Sequence, residues 1–138
     1  MKSTPYAVVD TNVIVSALIA KSEETPPRKI LTAVMENRLI PVTSEPIMLE
    51  YRAVLLRPKF NLRPAFVDDF LRDFRAVSLP VSPTMQAELI PDPKDLPFLE
   101  AFRQLDEENA WLITGNLKHF PNDPRIVAPR DALTFLTL

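Results

Sequence analysis

Three carboxylates in this sequence stand where a charged oxygen is costly unless it has a task. Asp10 directly follows the apolar run Tyr6-Ala7-Val8-Val9, which reads as a buried strand. Glu50 lies three residues after Ile47 and four before Val54, so on a helix it projects from the stripe of Ile47, Tyr51, Val54 and Leu55. A carboxylate in such a stripe needs a cation or a polar cleft. Asp95 precedes Phe98 and Leu99 at the mouth of another helix, with Asp92 just ahead of it in Asp92-Pro93-Lys94-Asp95. Asn116 adds an amide oxygen shortly after a second apolar strand that ends in Thr114. Clustered carboxylates repel and raise one another's pKa unless a cation neutralises them. An anionic, all-oxygen set suits a hard divalent ion, magnesium or manganese. Such an ion polarises a phosphoryl oxygen and activates water for in-line attack. The residues therefore point to metal-assisted phosphodiester hydrolysis.

Each residue also has an ordinary role. Asp10 and Asp95 stand where helix N-caps stand, and Glu50 could pair with an arginine across a helix contact. Asp92 before Pro93 fits a conformational turn, as does Asn116 after Gly115. The lone His119 is either a loop packing residue or a group near phosphate. What favours chemistry is that Asp10, Glu50 and Asp95 all fall where they can converge on one rim.

Composition narrows the alternatives. The chain has 138 residues and one glycine, Gly115, where ordinary usage gives about ten. A phosphate-binding P-loop or dinucleotide fingerprint needs more than one, because backbone must approach phosphate closely. The absence of cysteine removes thiol nucleophiles, disulfides and cysteine-held zinc, and a single histidine rules out a multi-histidine metal site. The 16 basic and 18 acidic residues leave a net charge of −2, so nucleic acid would have to meet a local basic groove. The apolar run 13–20 is too short to span a bilayer, and a soluble cytoplasmic protein is expected.

The elements that position these residues read as strands and helices in alternation. Strands are predicted at 6–9, 39–43, 111–114 and 125–128, with 77–81 a strand or an extended connector. Helices are predicted over 13–20, 27–37, 44–56, from Pro64, over 97–109 and from Pro129. Ile30, Leu31, Val34 and Met35 recur at helical spacing, Phe66, Val67, Phe70, Leu71 and Phe74 line one face of their helix, and Phe98, Leu99, Phe102 and Leu105 should face inward. The 15 prolines punctuate these elements and form no single proline-rich tract. Continuous apolar strands separated by helices indicate an α/β class: a three-layer α/β/α sandwich around a central, mainly parallel sheet. Residues 1–138 are expected to form one domain.

Five stretches follow one another along the chain: Val8-Val9-Asp10-Thr11-Asn12-Val13-Ile14-Val15-Ser16-Ala17-Leu18, Glu50-Tyr51-Arg52 with Arg57-Pro58-Lys59-Phe60, Asp92-Pro93-Lys94-Asp95-Leu96-Pro97-Phe98-Leu99, Leu112-Ile113-Thr114-Gly115-Asn116 and Pro129-Arg130-Asp131. In that order they resemble the PIN-domain nucleases. The chain is most similar to PIN-family toxin components of bacterial toxin–antitoxin pairs. The resemblance implies an α/β/α sandwich, Mg²⁺- or Mn²⁺-dependent ribonuclease activity, a homodimer and a cognate antitoxin. It matches Asp10 and Asp95 to the principal metal-binding aspartates, Glu50 to the helix glutamate and Asp92 to a further acidic position. A fourth acidic position, usually aspartate after Thr-Gly, is Asn116 here, which removes a negative charge and weakens any second ion.

The expected function is therefore a metal-dependent endoribonuclease, with Asp10, Glu50 and Asp95 catalytic and Asp92 and Asn116 completing the metal shell. Arg52, Arg57, Lys59, Lys118 and His119 are the expected RNA contacts, with Phe60 available for base stacking. A catalytically weakened PIN-fold module that binds RNA or protein is the rival reading, and Asn116 is its best support. A phosphoryl-accepting receiver domain shares the α/β plan but expects an acidic pair after the first strand, where this chain has Asp10 alone.

Overall fold

The computed structural model describes residues 4–83, 88–105 and 108–136. Its centre is a five-stranded, all-parallel sheet of order β3-β2-β1-β4-β5. The strands are β1 (Tyr6–Val9), β2 (Ile40–Thr43), β3 (Leu79–Pro80), β4 (Ala110–Ile113) and β5 (Ile126–Val127). Among the described residues six helices flank it: α1 (Thr11–Ile19), α2 (Pro26–Met35), α3 (Glu45–Leu55), α4 (Pro64–Ala76), α5 (Leu96–Arg103) and α6 (Pro129–Leu136). The class is the α/β/α sandwich expected, with a sheet parallel throughout.

The strand order decides where a site can form. From β1 the chain moves outward to β2 and β3, then returns across the sheet to enter β4 on the other side of β1. The switch point therefore lies between β1 and β4, from whose carboxyl ends the chain leaves towards opposite edges of the sheet, the place where such a sheet forms a crevice. Pairing of Val9 with Ile113, and donation from Asp10 N to Ile113 O at 2.9 Å, bring the two strand ends level.

The central strands are apolar because helices cover both faces. Ala7, Val8, Val9, Leu112 and Ile113 are all buried. Pro41 is tolerated in β2 because backbone bonding alternates between neighbours. Ile40 N donates towards β1, to Pro5 O, which leaves the proline nitrogen on the side of the two-residue edge strand β3. With glycine almost absent, left-handed turns fall to asparagine: Asn37 (φ 61°) ends α2 and Asn61 (φ 53°) ends a 3₁₀ turn, Pro58–Phe60.

Local chemistry sets the helix ends. Thr25 and Ser44 cap α2 and α3 by accepting from Arg28 N and Ile47 N. Arg28 then reaches back to the end of α1, where its guanidinium donates to Ala17 O and Ala20 O. The tightest tie to the sheet is Tyr51 of α3. Its hydroxyl donates to Val9 O at 2.5 Å, and its buried ring packs edge-on against Phe74 and beside Phe98. Burial holds the phenol well above its usual pKa, with the Asp10 charge adding to the effect, so it remains a donor.

Some expectations need correction. The helix expected over 97–109 stops at Arg103. Asn109 lies in the turn that enters β4, and its carbonyl accepts from Tyr6 N at 2.9 Å. Met35 and Phe66 are exposed, so the inward faces of α2 and α4 are narrower than their apolar runs imply. The connector at 77–81 is a strand only at Leu79–Pro80. Among the described residues no helix is long and apolar enough to cross a membrane. Tyr51→Phe should lower stability by about 1–2 kcal/mol, the usual loss for a buried hydrogen bond. Urea unfolding checks this through a lower midpoint at unchanged slope.

Candidate metal and phosphodiester site

At the switch point Asp10 is buried, 4% exposed, and caps α1 by accepting from Thr11 N at 2.8 Å. Its other oxygen accepts from Thr114 Oγ1 at 2.7 Å and from Asn12 Nδ2 at 3.2 Å. Burial is the main reason its carboxyl is pushed up from 3.8 to about 6, with the Asp95 charge adding to the rise and the Thr114 hydroxyl opposing it. Asp95 occupies the residue before α5 yet makes no side-chain cap bond. Its Oδ2 instead meets His119 Nδ1 at 2.9 Å. Partial burial raises its pKa; the His119 contact lowers it, and the Asp92 charge raises it again. Asp92 does take the conformational role, accepting from Lys94 N at 3.0 Å.

These groups line one open cleft of about 430 Å³ together with Glu50, Asn116, Arg57 and Phe60. The three acids Asp10, Glu50 and Asp95, far apart in the chain, thus face a common space. Glu50 is half-buried and has no cation partner among the described residues, so its apolar-stripe position is explained by the cleft rather than by an ion pair. The tightest group able to hold an ion is narrower than the full set. Ligand atoms of Asp92, Asp95 and His119 lie within 4.8 Å of one another, whereas Asp10 and Glu50 stand outside that trio. Among the described residues no lysine or arginine is ion-paired to any of the four acids.

Asn116 is exposed and follows Thr114 at the rim; its backbone N donates to Thr114 Oγ1 at 3.0 Å. Gly115 needs no left-handed backbone. A Cβ there would lie 3.2 Å from Asn12 Oδ1, the atom that accepts Gly115 N at 3.0 Å. The glycine lets the loop pass close to Asn12, whose amide would have to give by a few tenths of an ångström to admit a Cβ. Asn12 thereby bridges the carboxylate of Asp10 and the loop after β4.

The basic residues divide. Arg57 lines the cleft, and the Lys59 ammonium lies 5.1 Å from the centroid of the Phe60 ring that also lines it. Lys118 is exposed on the 3₁₀ turn Leu117–His119. Arg52 is outside the cleft lining and is paired to Asp68 of α4 at 2.9 Å.

Sequence reasoning missed Thr114, Asn12 and Thr11, and it missed the partner that His119 meets. Thr114 holds Asp10, and its only signal was a hydroxyl residue at a strand end. The His119 contact with Asp95 spans 24 residues and left no local signature. Thr11 fell between the expected strand and the helix expected from residue 13, and was given no role; it is in fact the first residue of α1. Its Oγ1 is the one buried side-chain polar atom without a hydrogen-bond partner among the described residues, and the residue is part of the cleft lining. An orphaned hydroxyl beside unpaired carboxylates fits a site that takes up a hydrated cation and an oxygen-rich substrate.

Residues 6–118 match the family model of the PIN domain, and the chain belongs to that family. PIN domains are generally nucleases and typically use divalent metals. No curated protein and no solved structure matches the chain.

The raised pKa of Asp10 has a sign that can be checked. In metal-free protein the folded state binds its proton more tightly than the unfolded chain does, so this group stabilises less as pH rises from 3.8 to about 6. Asp10→Asn lacks the effect. The stability of wild type minus that of Asp10→Asn should fall by up to about 3 kcal/mol across that window and then level off. Urea titrations of both proteins from pH 4 to 8 measure it.

Proposed function

We propose that this protein is a metal-dependent endoribonuclease that hydrolyses phosphodiester bonds in single-stranded or looped RNA, with Mg²⁺ or Mn²⁺ as its ion. The observation that carries the reading is the cleft shared by Asp10, Glu50, Asp92 and Asp95, with no lysine or arginine paired to these acids among the described residues. Asp10 and Asp95 hold the ion, Glu50 orders a water beside it or a second ion, and Asp92 and Asn116 complete the shell. The bound ion supplies charge stabilisation at a phosphodiester oxygen and makes water a better nucleophile.

RNA lies along the cleft in this reading. Arg57 meets a backbone phosphate and the Phe60 ring stacks on a base, with Lys59 adding positive charge over that ring. Lys118 extends the charge at the lip, and His119 serves the carboxylates rather than the RNA. Arg52, committed to Asp68, contributes little. The likeness of the motifs to PIN toxins supports the finer reading: a toxin of a toxin–antitoxin pair, restrained by a cognate antitoxin and working as a homodimer.

Asn116 favours one alternative, a PIN module that binds RNA or protein without cutting, because its neutral amide removes a charge from the site. Cleavage of a mixed RNA substrate with Mn²⁺ separates the two. Wild type should cut, and Asp10→Asn and Asp95→Asn should each lose about 100-fold or more, the equivalent of the several kcal/mol an ion contributes. Equal rates for all three, or no cutting by any, reject the enzyme. Mn²⁺ should also raise the melting temperature of wild type through linkage, and raise that of the two variants much less.

A further inference from the structure

We infer that His119 is a positioning residue whose Nδ1–H holds Asp95 in register with Asp10, an inference that rests on the metal-dependent nuclease reading and deepens it. The two aspartates come from distant parts of the chain, and a continuous series of hydrogen bonds joins them. Thr114 Oγ1 donates to Asp10 Oδ2 at 2.7 Å and accepts from Asn116 N at 3.0 Å. Asn116 O accepts from His119 N at 2.9 Å, and His119 Nδ1 meets Asp95 Oδ2 at 2.9 Å. A carboxylate has no proton to give, so the imidazole hydrogen sits on Nδ1. The segment 114–119 is thus a strap with one aspartate at each end.

The strap answers a physical need. Asp95 does not cap its own helix, and the Asp92 charge repels it. No lysine or arginine is ion-paired to it among the described residues, where His119 is its one ionic partner. Without that bond its side chain is free to turn away from its neighbours, and the ion must then supply the cost of gathering the ligands. The strap also gives Asn116 a task that its side-chain charge does not affect, since both of its bonds in the series use backbone atoms. Asparagine at this position keeps the spacing of the aspartates even as it removes a negative charge.

Full-length wild type, His119→Ala and His119→Asn test the inference by Mn²⁺ titration, with free Mn²⁺ read by electron paramagnetic resonance and folding checked by melting temperature. His119→Ala should bind Mn²⁺ about 10-fold more weakly, the usual effect of removing a group that orients a metal ligand. His119→Asn, whose amide NH₂ reaches about as far as Nδ1, should recover most of that loss. In metal-free wild type, ¹⁵N NMR of the imidazole should show the Nδ1–H tautomer, and Asp95→Ala should return it to the common Nε2–H form. An unchanged Mn²⁺ affinity in His119→Ala overturns the inference, as does a His119→Asn variant no better than alanine, which would make the imidazole itself a ligand. A wild-type protein that binds no Mn²⁺ overturns the nuclease reading instead.

Discussion

The molecule is organised around a carboxylate that is almost wholly buried at the head of an open cleft. Asp10 sits at the paired ends of β1 and β4, and a buried charge there is tolerable because three donors surround it. Those donors come from the first residue of α1, the second residue of α1 and the end of β4, so the carboxylate ties together the elements that form the crevice. Tyr51 completes the frame from α3 by bonding the carbonyl just before Asp10. Packing and polar satisfaction thus act on the same few atoms: the groups that keep the strand ends level also keep the carboxylate oriented.

Around that anchor the charge distribution is lopsided. Arginines elsewhere find acidic partners, as Arg52 does with Asp68, Arg75 with Glu45 and Arg103 with Glu88. Among the described residues no lysine or arginine pairs with the cleft acids, and Asp95 meets only His119. Exposed pairs of this kind contribute little to stability, so their significance here is that basic side chains are engaged away from the cleft. The raised pKa values of Asp10 and Asp95 record the same imbalance: burial and mutual repulsion outweigh the hydrogen bonds that favour the charged forms. A site that resists full ionisation when empty is one in which a cation would have most effect.

The strap from Thr114 to His119 explains why a chain so poor in glycine keeps one at this place. Gly115 passes close to Asn12, and a side chain would press on the amide that supports Asp10. Elsewhere asparagine suffices for the left-handed turns, since a turn needs a dihedral angle that asparagine can adopt at modest cost. At Gly115 the constraint is close approach instead, and a Cβ there would displace the Asn12 amide by a few tenths of an ångström.

Apolar runs of strand length, proline and hydroxyl caps, and helical periodicity are local properties, and from them the strands, the helices, the α/β/α class and the positions of Asp10, Glu50 and Asp95 were all legible. So was the placing of Glu50 on a buried face, because a helix has a fixed period. Other features depended on contacts between residues far apart in the chain. Asp10 and Asp95 look alike as residues ahead of helices, yet one caps its helix and the other is held by His119 across 24 residues. Arg52 and Arg57 belong to one basic stretch, yet only Arg57 reaches the cleft. By itself the sequence determined which oxygens arrive at the rim, because strand ends and helix faces follow from local pattern. Tertiary structure alone decided what each oxygen meets there, because hydrogen bonds and ion pairs form between whatever the strand order brings together.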